Sequence, residues 1–150
     1  MMIKPQIMKI DTILRQGIEF TGEICYSGVS GEELYTKPIE EGGTAVTGLI
    51  YEKYKNGNIA YYSYYANGIA DGECVSFFEN GALENYKQMK KAVISGYSIS
   101  WFENGNLKSV GVYKYGFAVT YKLWNREGAL LEEKLKPSEF EQLMIDKYDK

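Results

Sequence analysis

Few of the side chains that carry out acid–base or nucleophilic chemistry near neutral pH are present in this sequence. The chain contains no histidine, and this removes Ser-His and Cys-His dyads together with the commonest zinc ligand. Its two cysteines, Cys25 and Cys74, show no CxxC spacing and are too few to form a metal site by themselves. We therefore expect a protein without catalytic residues, without a metal or cofactor site, and without enzymatic activity.

Carboxylate pairs are the remaining candidates for acid–base catalysis. Glu40-Glu41 and Glu132-Glu133 are adjacent in sequence, so on a strand the two members of each pair would point to opposite faces and could not share one substrate. Glu79 and Glu103 recur at equivalent positions beside predicted turns. Such a row is more typical of a solubilising rim than of a glycosidase, in which two carboxyl groups flank one bond.

The two cysteines fall at near-equivalent positions of predicted strands. Cys25 follows Gly22 by three residues, and Cys74 follows Gly72 by two. Small buried side chains in a reducing cytosol are the favoured interpretation, and a disulfide is the alternative.

The elements that would position these groups follow a repeat of 24 residues. The repeat is marked by glycines and by Asn-Gly pairs, at Gly48, Gly72 and Gly96 and at Asn56-Gly57, Asn80-Gly81 and Asn104-Gly105. A period of this length is typical of an array of small supersecondary units. Asn-Gly between β-branched and aromatic residues favours a β-hairpin, because both central residues of a type I′ turn need positive φ. The repeated unit is therefore predicted to be a β-hairpin.

The predicted fold is all-β: an elongated array of antiparallel β-hairpin repeats in a single curled sheet, with a short C-terminal capping helix. One domain is expected over residues 1–150. Residues 1–47 are predicted to hold an N-terminal strand, within 3–14, and a degenerate first repeat, and residues 48–130 the hairpin repeats. A capping box of Ser138 and Glu141 indicates a helix over residues 137–148, which we expect to cover the last strand edge.

A two-residue Asn-Gly loop also predicts which residues face each other. It pairs an aromatic with an aliphatic residue in every hairpin: Tyr54 with Ile59, Phe78 with Leu83, and Phe102 with Leu107. We expect these pairs to form a continuous core stripe. The opposite face then also carries large apolar groups, namely Phe77, Trp101, Val75, Ile99, Tyr62, Tyr86 and Val110. Either the sheet curls around that face or the face binds a partner, and a different loop register would exchange the two faces.

The composition is that of a soluble folded chain with an unusual supply of aromatic side chains. Of 150 residues, 45% are hydrophobic, 25% are charged, and fourteen are tyrosine. The net charge of −3 and the pI near 5.1 disfavour binding to nucleic acids and to anionic membrane surfaces. The N-terminal residues lack the apolar run of a secretory signal, and no stretch is long and apolar enough to span a membrane. We therefore predict a cytoplasmic protein.

The turn segments resemble the MORN-type repeat, in the variant that reads aromatic, any residue, Asn-Gly, any residue, aliphatic. Three copies carry the resemblance, at residues 54–59, 78–83 and 102–107, and the linking segment 65–72 also matches. The similarity covers about residues 48–130. Met89–Ala92 lacks the linker Asn-Gly, and residues 1–47 match only at Gly22 and Ser30-Gly31. The motif is specific for a hairpin array and says less about activity.

Bacterial proteins with this variant repeat are often the antitoxin or immunity partner of a secreted polymorphic toxin, as in contact-dependent growth inhibition. The resemblance therefore implies an inhibitor that binds a cognate toxin domain, a nuclease being one class, in a stoichiometric complex, and that is otherwise a monomer or weakly self-associating. An acidic chain would suit the basic cleft of a nuclease. Aromatic and acidic side chains are the candidates for partner binding: Tyr62, Tyr64, Tyr86, Phe77, Trp101, Glu79 and Glu103.

Two other functions stay open at this point. MORN-like arrays sometimes act as scaffolds or protein-interaction modules, which would self-associate or bind a host protein instead of a toxin. Similarity to other MORN proteins also suggests membrane or phosphoinositide attachment, although the acidic balance argues against it. Co-sedimentation with vesicles at low salt would separate this third function from the first two.

Overall fold

The computed structural model of the chain describes residues 5–21, 24–27 and 33–150. In chain order its elements are α1 Ile10–Gln16, β1 Ile18–Glu19, β2 Cys25–Ser27, β3 Glu33–Tyr35, a 3-10 turn Ile39–Glu41, β4 Gly48–Lys53, β5 Ile59–Ala66, β6 Ile69–Phe77, β7 Leu83–Lys90, β8 Val93–Trp101, β9 Leu107–Lys114, β10 Phe117–Trp124, β11 Leu130–Lys134 and α2 Glu139–Tyr148. The expectation of a mostly β fold with a short C-terminal helix is confirmed.

Nine strands form a single curled sheet in the order β1-β4-β5-β6-β7-β8-β9-β10-β11. Neighbours from β4 onward are antiparallel, whereas β1 runs parallel to β4. The strands β5, β7 and β9 begin at Ile59, Leu83 and Leu107, which are 24 residues apart. The repeat in the sequence is therefore the repeat of the sheet, one hairpin per 24 residues.

The Asn-Gly turns adopt a different geometry from the predicted one. The Gly57 N–H donates to the Tyr54 carbonyl (3.0 Å), and the Tyr54 N–H donates to the Asn58 carbonyl (2.8 Å). Gly57 has a φ of 91°, while Asn56 is not among the residues with positive φ. These features are typical of a three-residue loop that ends in a glycine bulge, and not of a two-residue type I′ turn.

The extra loop residue moves each hairpin by one register position. The observed pairs are Lys53–Ile59, Phe77–Leu83 and Trp101–Leu107. The predicted partners Tyr54, Phe78 and Phe102 are therefore wrong. Because side chains alternate between faces with a period of two, the aromatic residues expected in the core lie instead on the other side of the sheet.

The core occupies the face that was predicted to be the second one. We call it the packed face; its buried row runs Tyr51, Tyr62, Val75, Tyr86 and Ile99, which are direct cross-strand neighbours. Around this row pack Phe77, Leu83, Trp101, Leu107 and Val110. The aliphatic members of the predicted stripe, Ile59, Leu83 and Leu107, thus belong to the core. Ile13 of α1 packs into the same core.

The N-terminal segment covers both faces of the first strands. Residues 10–16 form α1, so the expected strand is wrong over this stretch; Ile13 is buried against the packed face. On the other face, Ile24, Leu34 and Val46 enclose Ile50. The degenerate repeat proposed around Gly22 and Ser30-Gly31 falls on residues that lie outside the described ranges.

Three tight turns join the strands at the ends away from the Asn56, Asn80 and Asn104 turns, and these three are two-residue type I′ turns. Their central residues all have positive φ: Asn67-Gly68 (52° and 83°), Lys91-Ala92 (50° and 68°) and Tyr115-Gly116 (52° and 83°). The second residue of each turn donates its N–H to the preceding repeat, from Gly68 to Val46, from Ala92 to Ala70 and from Gly116 to Ile94. The turns therefore stack as a ladder along the sheet.

Ala92 is the one member of this ladder with a Cβ at a position that glycine occupies in the other two. A left-handed conformation costs a non-glycine residue about 1–2 kcal/mol. We expect Ala92→Gly to raise the free energy of unfolding by about 1 kcal/mol, measured by urea denaturation, after the larger entropy loss of glycine is allowed for. Ala70→Gly, in the extended strand β6, should lower it. A decrease for both variants would contradict the proposed strain.

The C-terminal helix begins as predicted. The Ser138 hydroxyl accepts from the Glu141 N–H, and the Glu141 carboxylate accepts from the Ser138 N–H, which completes the capping box. The Lys134 ammonium, 2.6 Å from the same carboxylate, holds the pKa of Glu141 below its ordinary value. Helix α2 packs near the β9–β10 turn, where the Phe140 ring contacts the Phe117 ring. Residues 130–133 of the edge strand β11 are exposed. The helix does not cover the last edge as expected.

Candidate functional site

The face opposite the core carries a trough with a floor of small polar side chains. Cross-strand pairing places Ser63, Cys74, Lys87 and Ser98 in one row. The next row runs Tyr61, Ser76, Asn85, Ser100 and Ser109. Because these residues occupy neighbouring strands of one rigid sheet, their hydroxyl, amide and ammonium groups are presented together. We call this surface the polar trough.

Aromatic and charged residues form the walls of the polar trough. Phe78 and Phe102, displaced from the core by the turn register, stand at its turn end and help to enclose an open cleft of about 680 Å³. The Lys108 ammonium lies 5.7 Å and the Arg126 guanidinium 5.4 Å from the centre of the Phe102 ring. Cations over a ring face are attracted by its quadrupole, so Phe102 gathers positive charge at this wall.

Asparagine side chains fix the turns that carry these walls. The Nδ2 groups of Asn104 and Asn106 both donate to the Arg126 carbonyl, at 3.1 and 2.8 Å. Asn56 and Asn58 make the same pair of bonds to the Glu79 carbonyl. The Asn-x-Asn segments of these turns therefore tie each hairpin to the next.

The chemistry available in the polar trough is that of recognition. Burial raises the pKa of the Cys74 thiol, partly opposed by Ser63 and Lys87, so little reactive thiolate forms near neutral pH. The Ser100 and Ser109 hydroxyls share a hydrogen bond of 2.5 Å. In the described part of the chain, no cluster of three Asp, Glu or Cys side chains could hold a metal ion. The floor offers hydrogen-bond donors and acceptors to a partner.

Buried tyrosines give the sheet a pH dependence that can be measured. The Tyr86 hydroxyl donates to Glu73 at 2.5 Å, and burial together with this carboxylate raises its pKa to about 12. Burial also raises the pKa of Tyr65 to about 12. Unfolded tyrosine ionises near 10, so above that pH the unfolded chain releases protons that the folded chain retains.

We expect the free energy of unfolding to fall between pH 10 and pH 12 because of these groups. Their contribution is fully present below pH 10 and is lost as the pH rises through the folded value. Urea midpoints measured from pH 9 to pH 12 would show this decline. Tyr86→Phe, which keeps the ring but has no ionisable hydroxyl, should make the decline shallower. An unchanged slope would contradict the assignment to Tyr86.

The sequence-predicted partner residues are divided between the two faces. Tyr62 and Tyr86 are buried in the core, so their rings are not accessible on this surface, and Tyr64 and Phe77 pack against the same core. Trp101 borders the polar trough, but its side chain also packs on the core. Glu103 lines the trough, and Glu79 is exposed at the equivalent turn.

Sequence reasoning missed the floor and the aromatic walls of the trough. Its signal was present: serine or cysteine alternates with large apolar residues along β6, β8 and β9, as in Cys74-Val75-Ser76 and Ser98-Ile99-Ser100. Such alternation is typical of a sheet with one packed and one polar face. The wrong loop register hid which face was which.

Comparison with known proteins shows a partial similarity to an immunity protein. Over 61 residues the chain is 41% identical to the Immunity protein YwqK of Bacillus subtilis strain 168, a stretch that is 41% of this chain and 38% of that protein. The chain thus spans less than half the length of this relative. No protein-family model and no solved structure matches the chain. This partial similarity supports a relationship to immunity proteins, whereas the MORN-type assignment stays a prediction.

A helix of the described residues would need about 20 predominantly apolar residues to cross a bilayer. Neither α1 nor α2 is long and apolar enough to do so.

Proposed function

We propose that this chain is an immunity protein that binds a cognate secreted bacterial toxin domain and neutralises it in a one-to-one complex in the cytoplasm. The observation that carries the proposal is the 41% identity over 61 residues to a protein named as an immunity protein. The role is inhibition by binding, without turnover, and this agrees with the polar trough, whose groups suit recognition.

The polar trough is the surface that we propose for the toxin. Its walls present Phe78 and Phe102, and aromatic and Arg side chains supply most hot spots of protein interfaces. Its floor is set by strand pairing, so few side chains must be ordered on binding and the entropic cost is small. Of the residues predicted from sequence, Glu103 lines this surface.

Charge favours a toxin domain with a basic cleft, such as a nuclease. The chain as a whole carries a net charge of −3. The trough wall itself has both signs, with exposed Glu103 beside Lys108 and Arg126, so the steering charge is that of the whole chain. Opposite charge steers partners together and raises the association rate, most strongly at low salt. A nuclease domain is therefore the toxin class that we test first.

Protection of cells from the toxin tests this proposal. Where a neighbouring gene encodes a large secreted protein, its C-terminal domain is expressed with and without this chain, and growth and complex stoichiometry are measured. The wild-type chain should restore growth and co-elute with the domain at a ratio of one to one. Absence of protection would refute the immunity role, and protection without a complex would refute direct binding.

A pair of charge reversals locates the contact surface. Glu103→Lys changes a carboxylate that lines the polar trough, while Glu127→Lys changes an exposed turn carboxylate outside it. We expect Glu103→Lys to weaken toxin binding at least tenfold and Glu127→Lys to change it less than twofold. Equal effects would contradict the trough as the binding surface. If the chain is a scaffold that binds no toxin, neither variant will change toxin binding.

A further inference from the structure

The strand β11 leaves the sheet with an open edge. It pairs with β10 on one side, and among the described residues no strand pairs with its outer side. An unpaired edge presents a row of backbone N–H and C=O groups that another strand can use. At the other edge of the sheet, the short strand β1 pairs in parallel with β4, and Ile13 of α1 packs against the core, so the two edges are built differently.

Exposed apolar side chains concentrate beside this open edge. Of the large hydrophobic residues that the structure describes, the four most exposed are Leu135 (72%), Leu143 (69%), Leu131 (66%) and Phe140 (64%). The ion pair between Lys134 and Glu141 fixes the start of α2 against the end of β11. Leu131 and Leu135 thus leave apolar side chains exposed along the open edge, and exposed apolar patches of this kind mark protein interfaces.

Acidic charge lies on the same edge. Glu132 and Glu133 are adjacent and exposed, so one carboxylate points to each face of the sheet. Glu133 has only a long contact of 3.9 Å with Lys122, and within the described residues Glu132 makes no ion pair. Lys134, the one cation of the strand, is occupied by Glu141.

This charge pattern decides between a second copy and a different partner. Antiparallel pairing of two β11 strands about their centre would set Glu132 opposite Glu132, and like charges directly opposite each other are destabilising. A strand with lysine or arginine opposite Glu132 would instead make a favourable cross-strand pair, on the face away from Leu131 and Leu135. Its apolar residues would cover Leu131 and Leu135.

We propose that β11 binds an extended segment of the toxin domain that alternates basic and apolar residues, which joins the sheet as a tenth strand. Main-chain hydrogen bonds along β11 supply affinity, and the Glu132 carboxylate supplies specificity for basic side chains. The edge is continuous with the polar trough, because Arg126 of the β10–β11 turn lines its wall. That the bound segment belongs to the toxin rests on the proposed function. The preference of the edge for basic and apolar side chains does not depend on that function.

Short peptides test the edge without the toxin. One probe is a seven-residue peptide that alternates lysine and valine, capped at both ends; the second has glutamate in place of lysine; the third is the lysine peptide with N-methyl groups on alternate residues. At low salt the lysine peptide should bind at least tenfold more tightly than the other two. It should slow hydrogen exchange of the β11 amides, because the outer groups of the strand become paired.

Two double variants of the full chain complete the experiment. E132K/E133K should reverse the preference, so that the glutamate peptide binds more tightly. E40K/E41K changes another adjacent exposed pair, and it should keep the wild-type preference. Slower hydrogen exchange in a part of the chain other than β11 would overturn the inference. So would equal binding of the lysine and glutamate peptides, or equally tight binding of the N-methylated peptide. A dimer that slows hydrogen exchange of β11 without any peptide would also overturn it.

The toxin assay separates this inference from the proposed function. Protection of cells by E132K/E133K as strong as that by the wild type would overturn the inference and leave the immunity role standing. Failure of the wild type to protect would overturn the immunity role, and the peptide results would still decide the chemistry of the edge.

Discussion

Ile99→Ala is expected to lower the free energy of unfolding by about 2–5 kcal/mol, the usual cost of truncating a fully buried isoleucine. Ile99 has no exposed surface. It sits between Tyr86 and Val110 in the row that crosses the packed face. Removal of its side chain would leave a cavity in the middle of this row, where strands on both sides limit collapse. Urea denaturation at pH 7 would measure the effect.

Two neighbouring substitutions serve as controls for the face assignment. Ser98→Ala changes the adjacent position on the other face and should have a small effect. Phe78→Ala removes more atoms than Ile99→Ala, yet it should cost less, because Phe78 lines the polar trough and lies outside the core. A larger loss for Phe78→Ala than for Ile99→Ala would show that the assigned faces are wrong.

Gly68→Ala is expected to lower the free energy of unfolding by about 2–4 kcal/mol, from the cost of a left-handed alanine and from overlap with the backbone. Gly68 has a φ of 83°. A Cβ there would lie 2.9 Å from the Leu34 carbonyl oxygen. Gly68 also accepts from the Leu34 N–H and donates to the Val46 carbonyl, so the turn anchors β3 to the sheet. Thermal and urea denaturation would measure the change.

Gly116→Ala is the matched control for this prediction. Gly116 has the same φ of 83° in the equivalent turn, but a Cβ there would meet only the Val93 side chain, at 3.1 Å, which can move. The difference between the two variants therefore isolates the backbone overlap at Leu34. Equal losses would contradict the close packing of β3 against the first turn.

The repeat and its strands were predictable from local signals, whereas the register was not. Gly48, Gly72 and Gly96 place the repeats at the right positions. The Asn-Gly signal is compatible with both a two-residue and a three-residue loop, which differ by one residue. In a sheet one residue exchanges the faces. Only the hydrogen bonds between Tyr54, Gly57 and Asn58 distinguish the two loops.

The two helices show which local signals were sufficient. The helix α2 was predictable because Ser138 and Glu141 form a capping box. The helix α1 has no side-chain hydrogen bond at its N-cap and only seven residues, so it depends on burial of Ile13 against a sheet that is distant in sequence. Such tertiary stabilisation leaves little trace in a local pattern.

The candidate site was predictable only in part for the same reason. Glu103 belongs to the polar trough because its place beside a turn does not depend on the register. Tyr62 and Tyr86 were proposed for binding because the predicted register placed them on the face opposite the core stripe, but in the observed register they are part of the core. The row of small polar residues becomes visible only once the strands are aligned.

Alkylation of Cys74 in the presence and absence of the toxin domain tests the central claim most directly. The thiol lies in the trough floor between Ser63 and Lys87, and Cys25→Ser would leave it as the only cysteine. If the polar trough holds the toxin, a stoichiometric amount of the domain should slow the reaction with iodoacetamide at least tenfold. An unchanged alkylation rate in a fully formed complex would show that the toxin binds elsewhere and would contradict this account.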